Sequence, residues 1–250
     1  MYVVYSADMM REELRKKASR KKAEVLRRFF KTGPGEYGEG DVFLGVTVPE
    51  IRKIAKKGEK TPLPEIERLL RSPIHEERFL ALVIMVERYK RTGPGERDIL
   101  YRLYLKNTAY INNWDLVDVS AGRIVGEHLV RRAKRALRGL ARSCDMWERR
   151  IAVIATSRFI GAGKLDEALD VIDMVIEDEE DLLHKACGWM LREIWKKDSG
   201  KAEEYIANNR ERMARTTLRY AIEKVPEKKR KKVLLVGKNK AIRYRRENDA

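Results

Sequence analysis

Residues 77–96 read ERFLALVIMVERYKRTGPGE, and how this stretch folds decides the class of the whole chain. Its apolar run, Phe79 to Val86, is flanked on both sides by charge and is far too short to span a bilayer. The spacing predicts a buried helix over 74–91, stopped by Thr-Gly-Pro-Gly. There a glycine can take the left-handed cap and a proline forbids continuation. The same device, KTGPGE, stands at 31–36, again after an aromatic-basic helix end.

Outward from this stretch, apolar residues recur at spacings of three and four, and strand-like alternation is almost absent. Helices are expected over about 8–31, 47–57, 63–71, 74–91, 97–106, 112–125, 127–142, 145–160, 164–176, 179–197, 200–207 and 209–224. Short turns such as Ser72-Pro73, GAG at 161–163 and DSG at 198–200 separate them. Many short helices joined this way predict an all-α, HEAT-like α-solenoid of antiparallel helix pairs with a basic concave groove. One helical-repeat domain over 1–225 and a basic C-terminal helix or tail over 226–250 are the expected organisation.

The 250 residues carry a formal net charge of +16, with hydrophobic residues at 43% and charged residues at 38%. That composition is globular rather than disordered. The excess of cations calls for a polyanionic partner, nucleic acid first and an anionic membrane surface second. Glutamine is absent while Lys, Arg and Glu abound, a pattern common in proteins from hot environments. The N-terminus lacks a basic segment ahead of an apolar one, so no secretory signal is read and a cytoplasmic, nucleoid-associated protein is the expectation. Cys144 and Cys187 are far apart, and buried thiols are the reading for both; the three histidines have no metal-ligand spacing. No phosphate-binding glycine loop, Ser/His/Asp set or metalloprotease motif is present. Neither a metal nor a cofactor is expected.

Four stretches hold chemistry. In NNWDLVDVS, residues 112–120, a helix places Trp114 and Asp118 on one face, four residues apart, with Asp115 turned aside and able to cap the helix start. An indole beside a carboxylate is either a packed ring with a solvated anion or a surface for a cation. In KACGWMLREIWKK, Ala186 and Gly188 allow another backbone or a ligand close to Trp189. In MWERRIAVIA, Arg149 and Arg150 precede an apolar helix. In EGDVFLGVTVPEIRKIA, an extended lead enters a helix with Pro49 in its first turn.

The order FLGVTVPEIRKIA, ERFLALVIMVERYKR, NNWDLVDVSA, MWERRIAVIAT and KACGWMLREIWKKD resembles the AlkD family of DNA alkylation repair glycosylases over about residues 25–225. The resemblance implies a HEAT-like solenoid with DNA in its basic groove and removal of purines alkylated at N3 or N7. It implies that Asp118 is catalytic and that Trp114 and Trp189 bind the substrate. Arg150 becomes a contact to the DNA backbone, and Arg149, Thr47 and Lys185 are grouped with it as DNA-binding residues. The chain departs from the family pattern at Asn113, where members can carry a second aromatic, and at Thr47-Val48. The expected partner is duplex DNA containing alkylated purines, with the protein a monomer and no membrane involved. The competing expectation is a noncatalytic HEAT-like protein that grips duplex or branched DNA.

Overall fold

The computed structural model describes residues 5–227, 229 and 230. Among them the regular structure is helical, apart from one isolated parallel bridge between Val42 and Ile74. The all-α expectation therefore holds. The chain divides into two compact units, one ending at Arg131 and one beginning at Arg132. Most of the basic segment expected at 226–250 lies outside the described residues. No helix among the described residues is long and apolar enough to cross a membrane.

The first unit holds α1 (Ala7–Lys16), α2 (Arg20–Phe29), α3 (Val48–Lys57), α4 (Leu63–Leu70), α5 (His75–Arg91), α6 (Pro94–Lys106), α7 (Trp114–Ala121) and α8 (Glu127–Leu129). A π-helical turn, Gly122–Gly126, joins α7 to α8. Such turns are uncommon and concentrate at functional sites. Helix α5 is the centre of the unit: α1, α3, α4, α6 and α7 all pack on it. Its residues Phe79 to Val86 are all buried. Each large apolar side chain so buried contributes about 1.5–3 kcal/mol, which makes this run the main driving force of the unit.

The single helix expected over 8–31 is two helices. Ser19 breaks it, because its hydroxyl accepts the Lys22 amide and its own amide is taken by the Leu44 carbonyl at 2.9 Å. The helix expected over 127–142 is likewise interrupted, with α8 ending at Leu129 and the next helix beginning at Arg135. The two TGPG turns also act differently from each other. After α2 the left-handed residues are Lys31 (φ 52°) and Gly35 (φ 74°), not Gly33. After α5 Gly93 takes an extended conformation and Pro94 opens α6, so that proline starts a helix as well as ending one.

The second unit holds α9 (Arg135–Ala141), α10 (Met146–Gly161), α11 (Leu165–Asp173), α12 (Asp181–Lys197), α13 (Ser199–Asn209) and α14 (Arg215–Ala221). Helix α10 plays the part that α5 plays in the first unit, packing against α9, α11 and α12. Asp145 caps it by accepting the Trp147 amide at 2.7 Å. Helix α12 packs most extensively on α14. Of the two cysteines, Cys187 is buried as expected, but Cys144 is exposed, because it sits in the turn ahead of α10 rather than on a helix face.

Candidate functional site

The site of the first unit is built around a loop. Residues 41–47, ahead of α3, are held by the first turn of α5. The Glu76 carboxylate accepts the amides of Leu44 (3.0 Å), Gly45 (2.7 Å) and Val46 (3.2 Å), and the His75 amide donates to the Val42 carbonyl (2.9 Å). Gly45 has φ 82°, and a Cβ there would stand 2.2 Å from the Ser19 carbonyl oxygen. Only glycine lets the loop press this closely on α2. The loop thereby brings Phe43 against Phe30, ring centroids 5.1 Å apart and nearly parallel.

Helix α7 enters from the other side. Asn113 is its N-cap, fully buried, and its side-chain amide donates to Asp41 at 3.2 Å. Trp114 follows and stacks on Phe30 at 5.2 Å, with Phe29 edge-on at 5.8 Å. Asp115, expected to point aside and cap the helix, does reach the first-turn Leu116 amide; its second oxygen meets His75 Nε2 at 2.9 Å. The His75 Nδ1 lies 2.9 Å from Asp41, which also holds the Arg78 guanidinium. Burial alone would push the His75 imidazole down, but the hydrogen bonds from Asp115 and Asp41 outweigh it and raise it to about 9.

Trp114 and Asp118 both line one cavity of about 490 Å³, as their spacing predicts. Its walls are largely aromatic and aliphatic, with Phe29, Phe30, Phe43 and Phe79 among them. The exposed cations Arg52 and Arg123 stand on the same lining, Arg123 on the π-helical turn and bonded to the Val119 carbonyl at 2.7 Å. Thr47 caps α3 between the lining residues Val46 and Val48, and its hydroxyl makes no capping bond. Behind α7, burial pushes the Tyr104 phenol up, and the nearby negative charge of Asp118 adds to this.

The remaining expected residues belong to the second unit. Trp189 is half-buried on α12 and donates to Glu193 at 3.2 Å. The room expected beside Gly188 is used by backbone: a Cβ there would stand 2.5 Å from the Thr217 carbonyl of α14. Arg149 pairs with Asp178 at 2.6 Å and donates to two carbonyls. Arg150 is buried, 4% exposed, and donates to the Leu182 carbonyl. Lys185 pairs with Asp181 at 2.7 Å. Among the described residues no group of three or more His, Cys, Asp or Glu side chains is arranged so that it could hold a metal ion.

The site contains residues that sequence reasoning missed: His75, Asp41, Glu76 and the Phe29–Phe30 pair. The signal for His75 and Glu76 was present in HEER at 75–78, four polar residues directly ahead of the apolar run Phe79–Val86.

The family model for the DNA alkylation repair enzyme matches residues 10–225. The chain belongs to that family. A predicted DNA alkylation repair enzyme from Enterococcus faecalis has a similar fold, with TM-score 0.66 and 19% sequence identity over 84% of this chain and 98% of that one. Comparison with curated proteins gives no match. As a member of the DNA alkylation repair family, the chain has a DNA-directed role that accords with its net charge of +16.

Proposed function

We propose that this repair enzyme is a DNA glycosylase that hydrolyses the N-glycosidic bond of cationic N3- and N7-alkylated purines in duplex DNA. The observation that carries the reading is the convergence of Trp114 and Asp118 on one aromatic cavity. A purine alkylated at N3 or N7 already bears positive charge, so it departs as a neutral base and needs no general acid. The positive charge passes to the deoxyribose as the bond breaks. Asp118, ionised, stabilises that sugar cation and accepts the proton of the water whose oxygen bonds to C1′. The Trp114 ring presents its π face to the cationic nucleotide, a contact contributing about 0.5–2 kcal/mol. An aromatic contact to bound DNA is also proposed for Trp189, on α12.

The duplex would be held through its phosphates by polar and basic side chains of each unit. Thr47, Arg52 and Arg123 stand where such contacts are available in the first unit. In the second unit, Arg149, Arg150 and Lys185 are engaged with Asp178, the Leu182 carbonyl and Asp181. A phosphate contact by any of the three has to compete with those bonds.

The test is release of free base from a duplex containing a single N7-methylguanine or N3-methyladenine, by the parent and by Asp118→Asn. Release by the parent and its loss in the variant supports the glycosylase. Duplex binding without release by the parent would overturn it in favour of a noncatalytic DNA-binding protein.

A further inference from the structure

We propose that His75 is a positioning residue for this reaction: by bridging Asp41 and Asp115 it fixes the start of α7, and through it the places of Trp114 and Asp118. The proposal rests on the glycosylase reading of Asp118.

The geometry defines the protonation of the bridge. Both ring nitrogens of His75 lie 2.9 Å from carboxylate oxygens. Ionised carboxylates only accept hydrogen bonds, so both nitrogens must donate, and the ring is an imidazolium. The side chain belongs to the cavity lining but is only 4% exposed, and both ring nitrogens are taken by carboxylates, so it acts through its neighbours. Four partly separate parts of the fold meet on it: the loop through Asp41, α5 through its own backbone, α7 through Asp115, and α2 through Phe30. Asn113, the cap of α7, donates to the same Asp41 oxygen that His75 holds. The N-terminal end of α7, which carries Trp114 and Asp115, is thus tied to one buried ionic cluster.

A second path reaches the Trp114 ring itself. The His75 imidazolium stacks on Phe43 at 4.5 Å, Phe43 on Phe30 at 5.1 Å, and Phe30 on Trp114 at 5.2 Å. Tilting or neutralising the imidazole would loosen the first of these contacts, where a cation lies against an aromatic face. The charge also matters to Asp118. Asp115 stands one turn before it on the same cavity lining. Pairing with His75 offsets the negative charge of Asp115 beside that second carboxylate.

The charged groups around His75 are few. Asp41 and Asp115 touch it, and Arg78 lies on the far side of Asp41. Glu76, adjacent on α5, is occupied by three loop amides. Asp118, Arg52 and Arg123 share the cavity. With the imidazole held up to about 9, the bridge persists at neutral pH and is lost as the solution passes that value.

The experiment compares parent and His75→Gln in single-turnover release of N7-methylguanine as pH is raised through about 9, corrected for spontaneous loss, with duplex affinity measured alongside. Nitrogen NMR of the His75 ring in the parent accompanies it; with only three histidines in the chain, assignment is direct. The expected variant binds duplex as the parent does but releases base about 10–100-fold more slowly, the scale of an ångström-level misplacement. The parent rate falls through about pH 9 and the variant lacks that limb. Equal rates in parent and variant overturn the proposal. So does an imidazole that is neutral at pH 7 by NMR, a reading that stands even if His75→Gln does not fold. Absence of release by the parent is a different result and refutes the glycosylase reading instead.

Discussion

Asp115 and Asp118 stand one turn apart on α7 and are put to different uses. Asp115 binds His75 with one oxygen and the Leu116 amide with the other, while Asp118 lines the aromatic cavity beside Trp114. Both carboxylates of the WDLVD stretch line the cavity, Asp115 while tied to His75 and anchoring the helix, Asp118 beside Trp114.

Exchanging these two residues separates anchoring from chemistry. Asp118→Asn is expected to slow base release by about 10²–10³, the cost of removing a preorganised charge from a developing cation, with duplex affinity nearly unchanged. Asp115→Asn is expected instead to lower the melting temperature, because it leaves a buried imidazolium short of one partner. Single-turnover release and thermal unfolding on the two variants check this; an Asp118→Asn protein working at the parent rate would remove Asp118 from catalysis.

Stability should depend on pH through the same cluster. The folded His75 value, about 9, lies above its ordinary 6.5. Its contribution is complete below 6.5 and is lost as pH rises through about 9. Asp41 is shifted the other way: burial pulls it up, but His75 and Arg78 outweigh this and hold it below its ordinary 3.8. Its contribution is present above 3.8 and lost as pH falls further. Melting temperatures across this range are expected to decline toward pH 9 in the parent and less in His75→Gln.

Glu76 offers a stability test of the loop that forms one side of the cavity. Its carboxylate satisfies three loop amides. Glu76→Ala leaves those donors without it, and a loss of about 2–4 kcal/mol is expected from chemical denaturation. A variant as stable as the parent would mean that the loop finds other acceptors.

In the second unit, Gly188→Ala places a methyl group about where α14 already stands, 2.4 Å from the Tyr220 Cβ and 2.5 Å from the Thr217 carbonyl. Backbone cannot rotate away as a side chain can. Overpacking of this kind costs about 1–3 kcal/mol, and a lower urea midpoint is the expected readout. An unchanged midpoint would show that α12 and α14 separate easily.

The chain's helices were legible because each needed only its own neighbours. The run Phe79–Val86 between charged ends specifies a buried helix, and Pro49 in a first turn specifies the start of α3. The break at Ser19 was not legible. It depends on the Leu44 carbonyl, a group 25 residues away in the chain. The Cys144 environment failed for a similar reason, since a turn and a helix face look alike in a polar stretch.

For the site, the i,i+4 spacing of Trp114 and Asp118 was enough to place them together, because helix geometry alone puts them on one face. The amino-acid sequence by itself determined the all-α class, that pairing, the strong positive charge and the family signature. Tertiary structure alone decided that His75, Asp41 and Asp115 form one ionic bridge, that Phe43 and Phe30 back Trp114, and that backbone fills the space at Gly188. The ionic bridge alone joins residues 34 and 40 positions apart. No local periodicity encodes such contacts; they exist only once the apolar faces of α5 and its neighbours have been buried against one another.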